Sequence, residues 1–270
     1  MFDEILACLD GSLLAETILP VVHAISLATG GQLTLLRVVA DAAELSSEED
    51  HLRDCARQYD AQRRLLVGSD PAGAIAAELQ RNPNAIAALT THGHSAWTEA
   101  LLGSVALRVI GQAKRPVILY YPLNENRAAP ERFNTLVAAL DGSEFSEKII
   151  PHVVKAAQSL AAKLTLIQVL PAQLTPALKH VEQLDLSEAN YLHWKAADTK
   201  ARYGIAPHWE VLHGDPAEAI CRYLHDLPDA MLALTTHGRS GLARALLGSV
   251  AAACIRRAGV PLLLYWPQDR

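Results

Sequence analysis

Apolar and polar positions alternate between two periodicities along the chain. "EILACLD", residues 4–10, is a short apolar run closed by Asp-Gly-Ser, and apolar residues then recur at helical spacing from Ser12 to Leu27. "QLTLLRVV" predicts the next strand, "DHLRDCARQYDAQ" a helix, "RRLLV" a strand and "PAGAIAAELQR" a helix with Pro71 in its first turn. "AIAALTT" is a strand, "SVALRVIGQA" a helix beginning at Val105, and "RPVILYY" a closing strand. Strand and helix in strict alternation imply right-handed crossovers and an open, mostly parallel sheet with helices on both faces. Ligands of such sheets sit beyond the carboxyl ends of the strands, where the strand order reverses.

The pattern then repeats. Asp10 and Thr34 recur 131 residues later as Asp141 and Thr165. Asp70, Gly103 and Pro116 recur 145 residues later as Asp215, Gly248 and Pro261, so the second copy carries fourteen additional residues after its second strand. These lengthen "LSEANYLHWKAADTKARYG" into a substantial helix. An internal repeat of this length predicts two tandem domains, each a five-stranded sheet. The expected division is residues 1–122, a polar linker at 123–132 containing Pro130, and residues 133–270.

Composition narrows the function. Half of the 270 residues are hydrophobic, enough for buried cores and too many for a disordered chain. A formal charge of −5 argues against broad nucleic-acid binding. No apolar run reaches membrane-spanning length and the start lacks a secretory pattern, so a cytoplasmic protein without membrane partners is expected. The four cysteines, Cys8, Cys55, Cys221 and Cys254, stand apart in sequence, which predicts inert thiols and no structural metal.

The strongest chemical signal is the pair of glycine segments, "LTTHGHSAWTEALLGSVALRVIGQ" at 89–112 and "LTTHGRSGLARALLGSVAAACIRR" at 234–257. In each, Gly-x9-Gly-Ser precedes an apolar helix, whose N-terminus offers backbone N–H groups and a positive dipole end to an anion. The plainer reading makes Ser104 and Ser249 N-caps and the glycines turn residues. Asp10 and Asp141, at the ends of the first strands, add acceptors suited to a ribose or base.

Taken in order and twice over, "LDGS", "LTLLRVV" and "LTLIQVL", "GDPAEAI", "THGRSGLARALLGSV" and "VPLLLYW" resemble the universal stress protein (UspA-like) family. That resemblance implies a Rossmann-like sheet of the adenine nucleotide alpha hydrolase type and binding of ATP or another adenine nucleotide, with Mg as a potential companion. It carries over Asp141, Val169, Gly238, Arg239, Gly248, Ser249 and Val250 in the second half, and Asp10, Val38, Gly93, His94, Gly103, Ser104 and Val105 in the first. Thr90 and Thr235 stand where the family's G-x2-G-x9-G-[S/T] motif begins with glycine, and would either narrow the site or lend it a hydroxyl.

The second copy has Arg239, Gly241 and Arg244 where the first has His94, Ala96 and Glu99, so the second site is favoured for phosphate. Trp97 is expected to cover the first loop rather than stack on a base. The leading expectation is a regulatory nucleotide-binding protein of the stress response. An interaction module without nucleotide, and a slow ATP hydrolase using His92, His94, His237 or the aspartates, are the alternatives. The apolar last strands, "PVILYY" and "PLLLYW", imply an intramolecular pseudo-dimer and leave homodimerisation open.

Overall fold

The computed structural model describes residues 1–91, 102–123, 129–170, 178–236 and 247–267, with backbone alone for Ser47 and for residues 178–189. The first half runs β1 (Glu4–Leu9), α1 (Leu13–Glu16), α2 (Leu19–Thr29), β2 (Gln32–Val39), α3 (Leu45–Gln58), β3 (Gln62–Val67), α4 (Pro71–Arg81), β4 (Ala85–Thr90), α5 (Ser104–Ala113) and β5 (Val117–Tyr120). The second repeats it as β6 (Thr135–Leu140), α6 (Glu144–Glu147), α7 (Ile150–Ser159), β7 (Lys163–Leu170), α8 (Leu178–Tyr203), β8 (His208–His213), α9 (Pro216–His225), β9 (Ala230–Thr235), α10 (Ser249–Arg257) and β10 (Leu262–Tyr265).

Each half has the strand order 3-2-1-4-5, with parallel pairing throughout. The two sheets join where β5 pairs antiparallel with β10, giving one ten-stranded sheet in the order β3-β2-β1-β4-β5-β10-β9-β6-β7-β8. One core layer packs α1, α2 and α3, with α7 and α8, on one face, and the other layer packs α4, α5, α9 and α10 on the opposite face. Both layers run through β5 and β10, so the apolar interior is continuous across the two tandem domains.

The helices depart from the periodicity in three places, the first with a local cause. The helix expected from Ser12 to Leu27 is broken at Thr17–Ile18, because Pro20 sits in the first turn of α2 and can supply no N–H to a preceding turn. The Thr17 hydroxyl instead donates to the Leu14 carbonyl at 2.6 Å. Helix α3 starts five residues before the predicted segment, on Leu45, and ends at Gln58. Helix α8 extends to 26 residues, well beyond the stretch the sequence marked.

Buried charge is paired rather than absent. Glu78 on α4 is 3% exposed and accepts from Arg64 of β3 at 2.5 Å and from Arg81 at 2.6 Å. Arg64 also reaches Glu4 of β1 at 3.1 Å, tying the edge strand to the sheet centre.

Candidate functional site

In each half the strand order reverses between the first and fourth strands, β1/β4 and β6/β9, which opens a crevice at their carboxyl ends. The turns after β1 and β6 are built alike. The Asp10 carboxylate accepts from the Ser12 amide at 3.0 Å and hydroxyl at 2.6 Å, and the Ser12 oxygen in turn accepts from the Ala15 amide at 3.1 Å. Asp141, Ser143 and Ser146 repeat these contacts at 3.0, 2.6 and 3.1 Å. Gly11 and Gly142 turn the chain at φ +81° and +80°, left-handed backbone that glycine adopts without strain. Part of each aspartate's hydrogen-bonding capacity therefore shapes its own loop.

A cavity of about 390 Å³ occupies the first-half crevice. Its walls bring together Asp10, Val38, Thr90, Gly103, Ser104 and Val105, six of the residues singled out from the sequence. In the second half the counterparts Asp141, Val169, Thr235, Gly248, Ser249 and Val250 occupy the corresponding ends of β6, β7 and β9 and the start of α10. Gly93, His94, Gly238 and Arg239 lie outside the described residues, as do His92, Ala96, Trp97, Glu99, His237, Gly241 and Arg244.

The glycine–serine junctions differ from the capping expectation. Gly103 and Gly248 themselves take the cap position, with extended backbone (φ −59° and −69°) and no side-chain cap bond. Ser104 and Ser249 are the first helical residues, so neither is an N-cap. Each glycine amide donates to a threonine carbonyl at 2.6 Å, Gly103 to Thr91 and Gly248 to Thr236. Those bonds fasten the helix start to the strand end, and they aim the first turn of α5 at the cavity. Thr90 and Thr235 are the last residues of β4 and β9, 9% and 5% exposed, and pair in register with Tyr120 and Tyr265.

Arg37, which the sequence did not single out, also lines the cavity. Its Nε donates to Glu48 of α3 at 3.1 Å, and a Cβ on Gly11 would approach its Nη2 to 2.9 Å, so the guanidinium lies close against the Asp10 loop. A charged residue within the apolar run of a central strand was the available signal. The second half carries Gln168 at the matching place, 2% exposed, with Oε1 lacking a hydrogen-bond partner among the described residues. At the cavity rim Asp70 caps α4 through the Gly73 amide and pairs with both terminal nitrogens of Arg108 at 2.9 Å. The Gly73 amide first, and then Arg108, hold its carboxyl below the usual range.

The thiols are free among the described residues. Burial pushes that of Cys8, on the cavity wall, up to about 12, so it stays protonated. The thiols of Cys221 of α9 and Cys254 of α10 influence each other across the two helices, which lowers the Cys221 thiol and raises that of Cys254.

A doubly wound α/β sheet, duplicated and joined at its fifth strands, with a crevice at each reversal of strand order, places the protein in the Rossmann-like class of open α/β folds. The Universal stress protein family pattern matches residues 1–120 and again 132–265, and the chain belongs to that family as a tandem member. Universal stress protein MJ0531 of Methanocaldococcus jannaschii is 29% identical over 154 residues, covering 54% of this chain and 89% of that protein. A universal stress protein from Archaeoglobus fulgidus superposes over 99% of both chains with a TM-score of 0.67 at 17% identity. The functionally unknown protein PA1789 from Pseudomonas aeruginosa gives 0.68 at 19% identity, over 99% of this chain and 94% of that one. At these identities the two structures speak for the fold.

Proposed function

We propose that the protein binds an adenine nucleotide, ATP or AMP, at the crevices of its two halves and uses occupancy to signal in a stress response. The observation that carries this reading is the 390 Å³ cavity, which collects Asp10, Val38, Thr90 and the Gly103–Ser104–Val105 helix start around one space. Its volume lies within the ~300–1,000 Å³ of small-molecule sites. Asp10 at one wall suits a ribose or base, and the first turn of α5 at another suits phosphate. The Thr90 hydroxyl on the wall is read as a contact for the ligand rather than a block.

The cavity favours the first half, whereas Arg239 and the extra glycine favour the second by composition. Two sites of unequal affinity reconcile these. The antiparallel pairing of β5 with β10 supports reading the halves as a pseudo-dimer in which one site's occupancy would reach the other.

The test is to denature the purified chain, identify released nucleotide by mass spectrometry, and titrate ATP and AMP into the emptied protein. Wild type should release or bind nucleotide, with Gly103→Val and Gly248→Val each removing one site. Absence of released nucleotide together with no thermal shift on adding either ligand would overturn the reading.

A further inference from the structure

The two halves treat one carboxylate differently. Glu147, at the end of α6, is neutralised by the Lys195 ammonium of α8 at 2.6 Å, with the Tyr191 hydroxyl donating to its other oxygen at 2.9 Å. Glu16 is its repeat counterpart, 131 residues earlier, at the end of α1. Facing Glu16 from α3 stands no lysine but His51, whose Nε2 lies 2.6 Å from Oε1, and Cys55, whose Sγ lies 3.7 Å from that same nitrogen. The three potential ligand atoms all lie within 4.8 Å of one another. His51 and Cys55 are four residues apart on one helix, so a single turn presents both to the same point.

We propose that Glu16, His51 and Cys55 form a binding site for a zinc-class divalent cation, which clamps α1 onto α3 beneath the Asp10 loop. One imidazole, one thiolate and one carboxylate form a donor set suited to zinc, leaving the fourth tetrahedral position to water. Bond lengths of about 2.0–2.3 Å at tetrahedral angles separate neighbouring donors by roughly 3.3–3.7 Å. The Cys55–His51 separation already fits, Glu16 needs to withdraw from its hydrogen bond with His51 by less than an ångström, and the Glu16–Cys55 pair, within 4.8 Å, settles into the same range. Binding displaces the thiol proton of Cys55 to solvent, so the filled site holds two negative ligands, a neutral imidazole and a dication. That gives Glu16 the positive neighbour that Lys195 gives Glu147. The buried Cys55 anchors the site and the half-exposed His51 side chain leaves an entry path. The inference is independent of nucleotide binding.

Chelator-stripped full-length protein is titrated with Co²⁺ and then with Zn²⁺. Wild type should develop a thiolate-to-cobalt charge-transfer band that zinc abolishes, and its Tm should rise with zinc. Cys55→Ser should lose the band, and His51→Gln should weaken zinc binding by at least ~10–100-fold. Because His51 is half-exposed, that variant keeps the test decisive even if Cys55→Ser fails to fold. A wild type with no thiolate band, a band that survives in Cys55→Ser, or unchanged zinc affinity in His51→Gln would overturn the proposal.

Discussion

Ile118 of β5 lies directly opposite Leu263 of β10, and the two are the same position of the repeat, 145 residues apart. The flanking pairs obey the same symmetry: Val117 faces Leu264 and Leu119 faces Leu262. The three pairs are therefore related by a local two-fold between Ile118 and Leu263, as antiparallel pairing of two equivalent strands requires. All six side chains are fully or almost fully buried, so the seam is core rather than surface.

Truncation at this seam should cost as much as truncation within a domain. Ile118→Ala and Leu263→Ala should each lower stability by about 2–5 kcal/mol in chemical denaturation. Because the two side chains are cross-strand neighbours, the double variant should deviate from additivity by at least ~0.5 kcal/mol.

Gly103 separates binding from stability. Its φ of −59° suits any residue, and an added Cβ would meet the Thr91 carbonyl oxygen at 3.4 Å, an ordinary contact. Gly103→Ala should change stability by about 1 kcal/mol or less, while Gly103→Val, bulkier at the helix start, should abolish first-site nucleotide binding in calorimetric titration.

The equivalent carboxylates Glu16 and Glu147 should respond unequally to amidation in metal-free protein. Glu147→Gln strands the Lys195 ammonium, which is 5% exposed, and should cost about 3 kcal/mol. Glu16→Gln removes a carboxylate from a half-exposed partner, His51, whose ring keeps access to water, and should cost less than about 1 kcal/mol. Urea denaturation of the two variants checks the contrast.

Arg64 should matter through the carboxylate it neutralises. Arg64→Met leaves Glu78 buried with Arg81 as its remaining cation, at a cost of about 2 kcal/mol. Adding Glu78→Leu should recover most of that loss, measured by the same denaturation midpoint.

His152 supplies a pH dependence of known sign. It lies on α7 with its ring 4.3 Å from that of Tyr265, and burial, aided by the Lys155 charge, lowers its pKa to about 4. Below pH 6.5 the unfolded chain takes up a proton that the folded protein refuses. This contribution is therefore complete above pH 6.5 and drains away as the pH falls toward 4, by about 1–2 kcal/mol after allowing for partial exposure. His152→Gln should flatten that part of the stability–pH curve.

The alternation of apolar runs was enough to place the five strands of the first half, and repetition implied five more; the inner strands, buried on both faces, are apolar along their length, whereas the edge strands β3 and β8 are half-exposed. Helix ends were less legible. The break at Thr17–Ile18 depends on Pro20, and the early start of α3 on the stretch 46–49, which holds no apolar residue to mark it. The crevice residues Asp10, Thr90 and Gly103 could be named from the chain because strand ends in a parallel sheet converge by topology. Arg37 could not, since its place depends on the Asp10 loop folding against it and on Glu48 from a separate helix.

The sequence by itself determined the duplication, the parallel α/β architecture and the identity of the strand-end residues, because these follow from local periodicity and from repetition. The tertiary structure decided how the halves join, which side chains share a cavity, and that Glu16 meets His51 across 35 residues. The physical reason is that strand pairing across a two-fold and side-chain convergence between helices depend on long-range packing, which no local spacing encodes.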